Sequence, residues 1–479
     1  MKLLVIDVGT SSVRAAVVEP GQGVTHSHRR DVLPASPAPG LVEFDAAEMA
    51  TAVLAVANEA LSQAGGVDAI GIANQRASTV VWDRETGVPV GAGLGWQDLR
   101  TVIDCMTLAG QGIRLAPNMV ATKAAHLLDA ADADRTRDLC VGTVDSWVAW
   151  TLSDGALHVT DASNAALYGM RTDDQTAWDL GVLAALRIEE HYLPKVVDSI
   201  GIVGEASALP GSPPIAGILG DQQASLFGQG CVRTGQAKVT FGTGAMLDMC
   251  LGDRPTFALQ GKGGTFPIVT RGVDGRRVWG LEAVMLAAGT NVEWLRDDLG
   301  IIADAADSHA VASACETSDG VAYVPALLGL GTPTWDYGAR GALLGLTRGS
   351  GRPQIVRAVL EGVAQRAADL VVAAETDSGL AIPTLRVDGG MTANPTFVQA
   401  LADATARSVE ISPEREATTL GAAYAAGLAV GAWADDDAIA ATWAPVEVVD
   451  PVGSFDRERW ADTLRRAERW FPDLSAISF

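Results

Sequence analysis

A carboxylate flanked by amides, Gly220-Asp221-Gln222-Gln223, and two Gly-Thr turns remote from it are the residues best equipped for chemistry in this chain. One turn lies in Ile6-Asp7-Val8-Gly9-Thr10-Ser11-Ser12-Val13-Arg14, the other in Val239-Thr240-Phe241-Gly242-Thr243-Gly244-Ala245-Met246, and each follows an apolar run that reads as a strand. Glycine lets backbone N–H groups approach an anion closely and the neighbouring hydroxyls add donors, so two such turns can hold a polyphosphate from opposite sides. Asp221 is the kind of group that readies an acceptor for phosphoryl transfer. A single Gly-Thr pair after a strand reads as an ordinary turn. Two in matching contexts, with the carboxylate, point to phosphoryl transfer.

The elements that must position these residues read as alternating strands and helices. Leu3 to Ile6 and Val13 to Val18 are strands of a meander, followed by a Pro/Gly-rich turn from Pro34 to Gly40. Asp45, with Glu48 three residues on, is placed to cap a helix. Ala69 to Ala73 is a buried strand ending at Asn74-Gln75-Arg76, and Ile215 to Leu219 is another that runs into Asp221. Polar groups emerging at the carboxyl ends of such strands are the usual ligand contacts of these sheets. Beyond the second strand the pattern of strand, Gly-Thr turn and strand restarts, a weak repeat that predicts two similar halves meeting at a cleft, divided near Gly228 to Gly235. In the second half, Val356, Leu360, Val363, Ala367 and Leu370 mark one apolar helix face. Leu385 to Asp388 leads into Gly389-Gly390, where paired glycines can admit a flat ligand against the backbone.

Composition narrows the function classes. At 479 residues the chain is expected to form two or three domains, and with 48% hydrophobic against 19% charged residues it folds throughout. A net charge of −23, from 58 acidic and 35 basic residues, opposes nucleic-acid and anionic-membrane binding. Five scattered cysteines, none in a Cys-x-x-Cys pair, indicate neither a disulfide framework nor a zinc site, which fits a reducing cytoplasm. The apolar run before Asp7 is too short for a signal peptide. Leu420 to Trp433 is too short for a membrane span and reads as a buried helix.

Several stretches together resemble the FGGY carbohydrate kinases, glycerol kinases above all. They are Gly71-Ile72-Ala73-Asn74-Gln75-Arg76, Val81-Trp82-Asp83-Arg84-Glu85-Thr86-Gly87, Trp96-Gln97-Asp98, Gly220 to Gln229 and Val387-Asp388-Gly389-Gly390. A further signature runs from Gly341-Ala342-Leu343-Leu344-Gly345-Leu346 to Ala358-Val359-Leu360-Glu361, and the likeness extends from Leu3 to Trp433. The resemblance implies an α/β fold of two actin-like, ribonuclease-H-like domains around a central cleft, divided here as 1–229 and 230–479. It also implies transfer of the γ-phosphoryl group of ATP to a hydroxyl of a small polyol or sugar, with Mg²⁺, and leaves a homodimer open. By position, Asp221 resembles the general base and Arg76, Trp96 and Gln222 resemble acceptor contacts. Asp7, with Asp221, resembles the metal site. Thr10, Ser11, Ser12, Arg14, Gly242, Thr243, Gly289, Glu293, Gly389, Gly390 and Asn394 resemble nucleotide contacts.

The departures from glycerol kinases cluster at the acceptor. Ala77 stands where they carry glutamate, Asn118 aligns with a tyrosine and Met246 with a phenylalanine. Losing a carboxylate that takes hydroxyls costs more discrimination than losing a methylene. The expectation is an acceptor of four to six carbons, with glycerol itself as the alternative. The short loop Leu209 to Pro214 lacks the basic glycine-rich stretch with which some bacterial glycerol kinases bind a sugar bisphosphate, so no such inhibition is expected. An actin-like ATPase would have no reason for Trp96 and the Gly220-Asp221-Gln222-Gln223 segment, and a silent sugar sensor would not need the Asp221 base.

Overall fold

The computed structural model describes all residues except 256, 258, 415 and 477–479. In the first half, β1 (Leu3–Val8) pairs antiparallel with β2 (Ser12–Glu19), and β2 with β3 (Gly23–Asp31). Helix α1 (Ala46–Ala64) follows, its N-terminus capped by the Asp45 side chain accepting from Ala47 and Glu48 N–H. The strands β4 (Ala69–Asn74) and β6 (Pro214–Gly220) then lie parallel to β1, with β5 (Ile200–Glu205) antiparallel at the edge, giving the order β5-β6-β4-β1-β2-β3. Leu3, Leu4, Val5 and Ile6 are wholly buried, as expected of a strand covered on both faces. The third strand is not legible in the sequence: β3 is GVTHSHRRD, an edge strand with a largely exposed polar surface, which carries little apolar alternation.

The second half repeats this order. Strands β7 (Ala237–Phe241), β8 (Ala245–Gly252) and β10 (Arg276–Met285) form an antiparallel meander, and β11 (Thr384–Asp388) and β12 (Ser408–Ile411) extend it in parallel from β7. An outer strand β9 (Phe266–Val273) and an antiparallel edge strand β13 (Glu447–Val449) complete the order β9-β10-β8-β7-β11-β12-β13. Helix α3 (Arg352–Ser378) covers this sheet with Val356, Leu360, Val363, Ala367 and Leu370 all wholly buried in its core. Helix α4 (Pro395–Thr405) follows the Gly389-Gly390 turn.

The halves are joined by two helices that exchange places. Helix α2 (Asp221–Gly228) leaves β6, whereas α5 (Ala417–Val430), from the second half of the chain, packs its alanines against Leu3, Val5, Ala69, Ala73 and Leu219 of the first sheet. The two helices cross where a β-carbon on Gly421 would stand 1.8 Å from the Ala224 carbonyl oxygen, so the crossing admits only glycine there. Mostly between β4 and β6 the chain builds a lobe on a four-stranded sheet of residues 79–83, 93–94 and 139–143, joined by residues 43–44 from before β4. That lobe has its own core, including Ala77, Leu94, Leu128 and Tyr168, against which Trp96 packs. No helix among the described residues is long and apolar enough to cross a membrane.

Candidate active site

Strand register brings the predicted residues level. Asp7 of β1 lies opposite Ala73 of β4, and Gly220 of β6 lies opposite Asn74, so Gly9, Arg76 and Asp221 all emerge at the carboxyl edge of three parallel strands. The first Gly-Thr turn is closed by Gly9 N–H donating to the Ser12 carbonyl at 2.9 Å. Gln75 Nε2 donates to the Gly9 carbonyl at 3.1 Å, tying this turn to β4. Trp96 reaches from the lobe, and its indole N–H donates to Thr10 Oγ1 at 3.2 Å. An acceptor candidate and a nucleotide candidate are thereby joined directly.

Asp221 opens α2, where its charge meets the positive end of the helix. Its Oδ1 lies 3.3 Å from Arg76 Nε, and Arg76 Nη2 donates to Glu282 Oε2 at 2.7 Å. The remaining Arg76 nitrogen, Nη1, is buried without a hydrogen-bond partner among the described residues. Burial raises the Asp221 carboxyl above its ordinary range, against the pull of Arg76. Burial also raises Asp7, to about 6, opposed by Arg14 and assisted by the Asp221 charge. Arg14 faces Asp7 across the β1–β2 ladder and is ion-paired with Glu416. The Asp7 carboxylate accepts no hydrogen bond among the described residues.

The second Gly-Thr turn is held by its neighbours. Gly289 N–H donates to the Gly242 carbonyl at 2.9 Å and Ala288 N–H to the Thr243 carbonyl at 2.8 Å. A β-carbon at 289 would stand 2.6 Å from that Gly242 oxygen. Gly389, at φ +95°, has Phe241 O within 2.2 Å of its missing β-carbon, whereas Gly390 faces open space. These glycines hold the turns close together and leave Gly242, Thr243 and Gly390 exposed.

Other predicted residues stand further out. Asn394 caps α4 by accepting from Phe397 N–H and donates to Ser308 Oγ at 2.8 Å. Glu293 and Asn118 are exposed, and Met246 of β8 lies opposite Thr240 and Val284. Ala77 is buried at φ +60°, a backbone setting that side chains seldom adopt. Among the described residues no hydrogen bond links Asn118, Glu293 or Asn394 to Asp221.

Sequence reading misses two buried polar groups behind the site. The first is a row across the second sheet, in which Lys238 of β7 faces Asp248 of β8 and Asp248 faces Glu282 of β10. The second supports Asp221 from below. Gly220 N–H donates to Ser163 Oγ at 2.9 Å, Ser163 donates to Asp161, and Ser199 Oγ donates to Asp161 Oδ2 at 2.5 Å. Asp145 accepts from Thr160 Oγ1 at 2.7 Å and from Asp161 N–H at 3.2 Å, and burial pushes its carboxyl up to about 7, with Asp161 adding to the effect. Lone acidic residues in short polar runs carry no periodic signal, so only their burial reveals them.

Both halves of the chain match family models of the FGGY carbohydrate kinases: the N-terminal domain over residues 2–228 and the C-terminal domain over 237–430. The chain is similar to glycerol kinases of Trichlorobacter lovleyi, at 41% identity over 98% of this chain and 99% of that one, and of Halorhodospira halophila, at 41% over 98% and 97%. Its structure is similar to that of Plasmodium falciparum glycerol kinase with ADP, with a TM-score of 0.90 at 26% identity, covering 100% of this chain and 99% of that one. A xylulose kinase from Rhodospirillum rubrum shares the fold, with a TM-score of 0.82 at 21% identity over 99% and 98% of the two chains. Together with the paired sheets and the acid at the head of α2, these matches establish that the chain belongs to the FGGY family of carbohydrate kinases, which use ATP to phosphorylate an alcohol group.

Proposed function

We propose that this enzyme transfers the γ-phosphoryl group of ATP to a hydroxyl of a four- to six-carbon polyol or ketose bound between residues 1–229 and 230–479. Asp221 takes the hydroxyl proton, the freed oxygen forms the new bond to phosphorus, and the bond between the β,γ-bridging oxygen and the γ-phosphorus breaks to release ADP. The observation that carries the reading is the Asp221–Arg76–Glu282 chain at the edge of the first sheet, in which a raised carboxyl stands beside a guanidinium with an unused N–H. A base poised nearer neutrality transfers protons more effectively than an ordinary carboxylate. Arg76 and Gln222 take acceptor hydroxyls, and Trp96 lies against the carbon face.

Phosphoryl transfer depends mainly on positioning and charge neutralisation. The donors for the phosphates are the turns at Thr10, Ser11 and Ser12 and at Gly242 and Thr243, with Arg14. Gly289, Glu293, Gly389, Gly390 and Asn394 line the nucleotide side. The two carboxylates Asp7 and Asp221 raise each other's affinity for positive charge, and Asp7 accepts no hydrogen bond among the described residues, which suits a Mg²⁺ ion held by few protein oxygens. When bound, that ion offsets charge on the phosphate oxygens.

The acceptor preference rests on Ala77, Asn118 and Met246, which leave room and remove a carboxylate. The curated relatives are called glycerol kinases, so glycerol is the second reading. A panel of polyols and ketoses assayed for acceptor-dependent ADP formation separates them. Asp221→Asn should lower turnover by about 10²- to 10⁴-fold. Glycerol as the best substrate of the wild type would refute the larger acceptor, and equal, acceptor-independent hydrolysis by both proteins would refute the kinase.

A further inference from the structure

Lys238 and Asp248 have no solvent-exposed surface, and their charged groups meet at 2.8 Å. An ammonium has three protons and no lone pair. Lys238 Nζ donates to Thr240 Oγ1 at 2.8 Å and to Gln222 Oε1 at 2.7 Å, and is ion-paired with Asp248 Oδ2. The last contact decides which way the Gln222 amide points. An amide can ordinarily be turned end for end, but its NH₂ cannot face an ammonium, so the oxygen is fixed on Lys238. The Gln222 Nε2 protons have no hydrogen-bond partner among the described residues, and the Gln222 backbone N–H donates to Asp221 Oδ1 at 2.8 Å.

We infer that Lys238 and Asp248 are positioning residues that lock Gln222 as a hydrogen-bond donor to the acceptor. This rests on the kinase reading. The site then offers Arg76 as donor, Asp221 as acceptor and Gln222 as donor. It selects a molecule whose reacting hydroxyl donates to Asp221 while neighbouring oxygens, hydroxyl or carbonyl, accept from both sides. Asp248 is required because a buried ammonium without a counter-charge is strongly unfavourable, and a buried pair from which one member is removed leaves the other uncompensated. Among the predicted acceptor positions Lys238 hydrogen-bonds Gln222 alone, while its charge also pulls the Asp221 carboxyl down and that of Asp248 favours the Arg76 cation.

The test uses the full-length enzyme with ATP and the best acceptor of the panel, with circular dichroism and thermal melting to establish folding. Gln222→Glu keeps an oxygen for Lys238 but has no N–H to offer. It should raise the acceptor KM about tenfold while leaving the ATP KM nearly unchanged. The double variant Lys238→Met/Asp248→Asn removes both charges and frees the Gln222 amide to turn, and should raise the acceptor KM by a similar factor. Because both act through one N–H group, the triple variant should be no worse than Gln222→Glu alone. Multiplying losses in the triple variant, or a folded double variant with a wild-type acceptor KM, would overturn the inference and leave the kinase reading intact. A wild type that neither binds nor phosphorylates any member of the panel would overturn both.

Discussion

Arg76 Nη2 and Glu282 Oε2 meet at 2.7 Å although 206 positions separate them in the chain. The pair joins the carboxyl edge of the first sheet to β10 of the second and fixes the guanidinium that lies against Asp221. Both side chains are largely buried, at 12% and 13% exposure, so the contact is shielded from solvent in a way that surface ion pairs are not.

Glu282→Gln keeps the shape of this contact but removes its negative charge. Hydrogen bonds to charged groups contribute about 1.5–3 kcal/mol, so kcat/KM for the acceptor should fall roughly ten- to hundredfold, with little change in the ATP KM. Steady-state kinetics with each substrate varied in turn measures this. An effect confined to ATP would place Glu282 on the wrong side of the site.

Ala77→Glu restores the carboxylate of glycerol kinases at a position of φ +60°, where a left-handed backbone costs about 1–2 kcal/mol for any residue with a β-carbon. Alanine already bears that cost, so the substitution adds no new backbone penalty, and circular dichroism checks that the buried carboxylate is accommodated. The expected outcome is a shift of preference toward glycerol relative to longer acceptors. An unchanged ratio of kcat/KM values would mean that residue 77 does not set acceptor size.

Gly421→Ala should weaken the crossing of α2 and α5, because the new carbon would sit 1.8 Å from the Ala224 carbonyl oxygen and 2.5 Å from its carbon. Backbone on both sides leaves nothing flexible to yield. Overpacking of this kind costs about 1–3 kcal/mol or more, read as a lowered denaturation midpoint. Gly228 makes the reciprocal contact with Ala417, and Gly228→Ala should act in the same direction. A wild-type midpoint for both variants would show that the helices can separate freely.

Asp145 supplies a pH dependence of stability. Its carboxyl titrates near 3.8 when unfolded and is pushed up to about 7 in the fold by burial and by Asp161. The protonated form is therefore favoured by folding: its contribution is complete below the unfolded value and is lost as pH rises through about 7. Asp145→Asn cannot titrate. Between about pH 5 and pH 7.5 the wild-type midpoint should fall more steeply than that of the variant. Parallel slopes would remove Asp145 as the source.

Strands and helices with a strong pattern are legible in the sequence. Leu3 to Ile6 and Ala69 to Ala73 are continuous apolar runs, and the α3 stripe repeats at helical spacing, because each must be buried on a defined face. The Gly-Thr turns and Asp221 are legible because their pattern is local: glycine beside a hydroxyl, and an acid flanked by amides after an apolar strand. β3 escapes because an edge strand facing solvent needs no apolar alternation. Lys238, Asp248 and Glu282 escape for a different reason. Each is an isolated charge within an apolar strand, and only the lateral register of three strands turns them into one row.

The sequence by itself determined the duplicated plan, the apolar strands and the candidate reactive groups, because those follow from composition and short-range spacing. Tertiary structure alone decided which distant charges meet. The pairing of Arg76 with Glu282, the hydrogen bond from Lys238 to Gln222 and the α2–α5 crossing each join separate segments of the chain. Contacts of that kind are set by strand register and close helix approach, which a linear pattern does not encode.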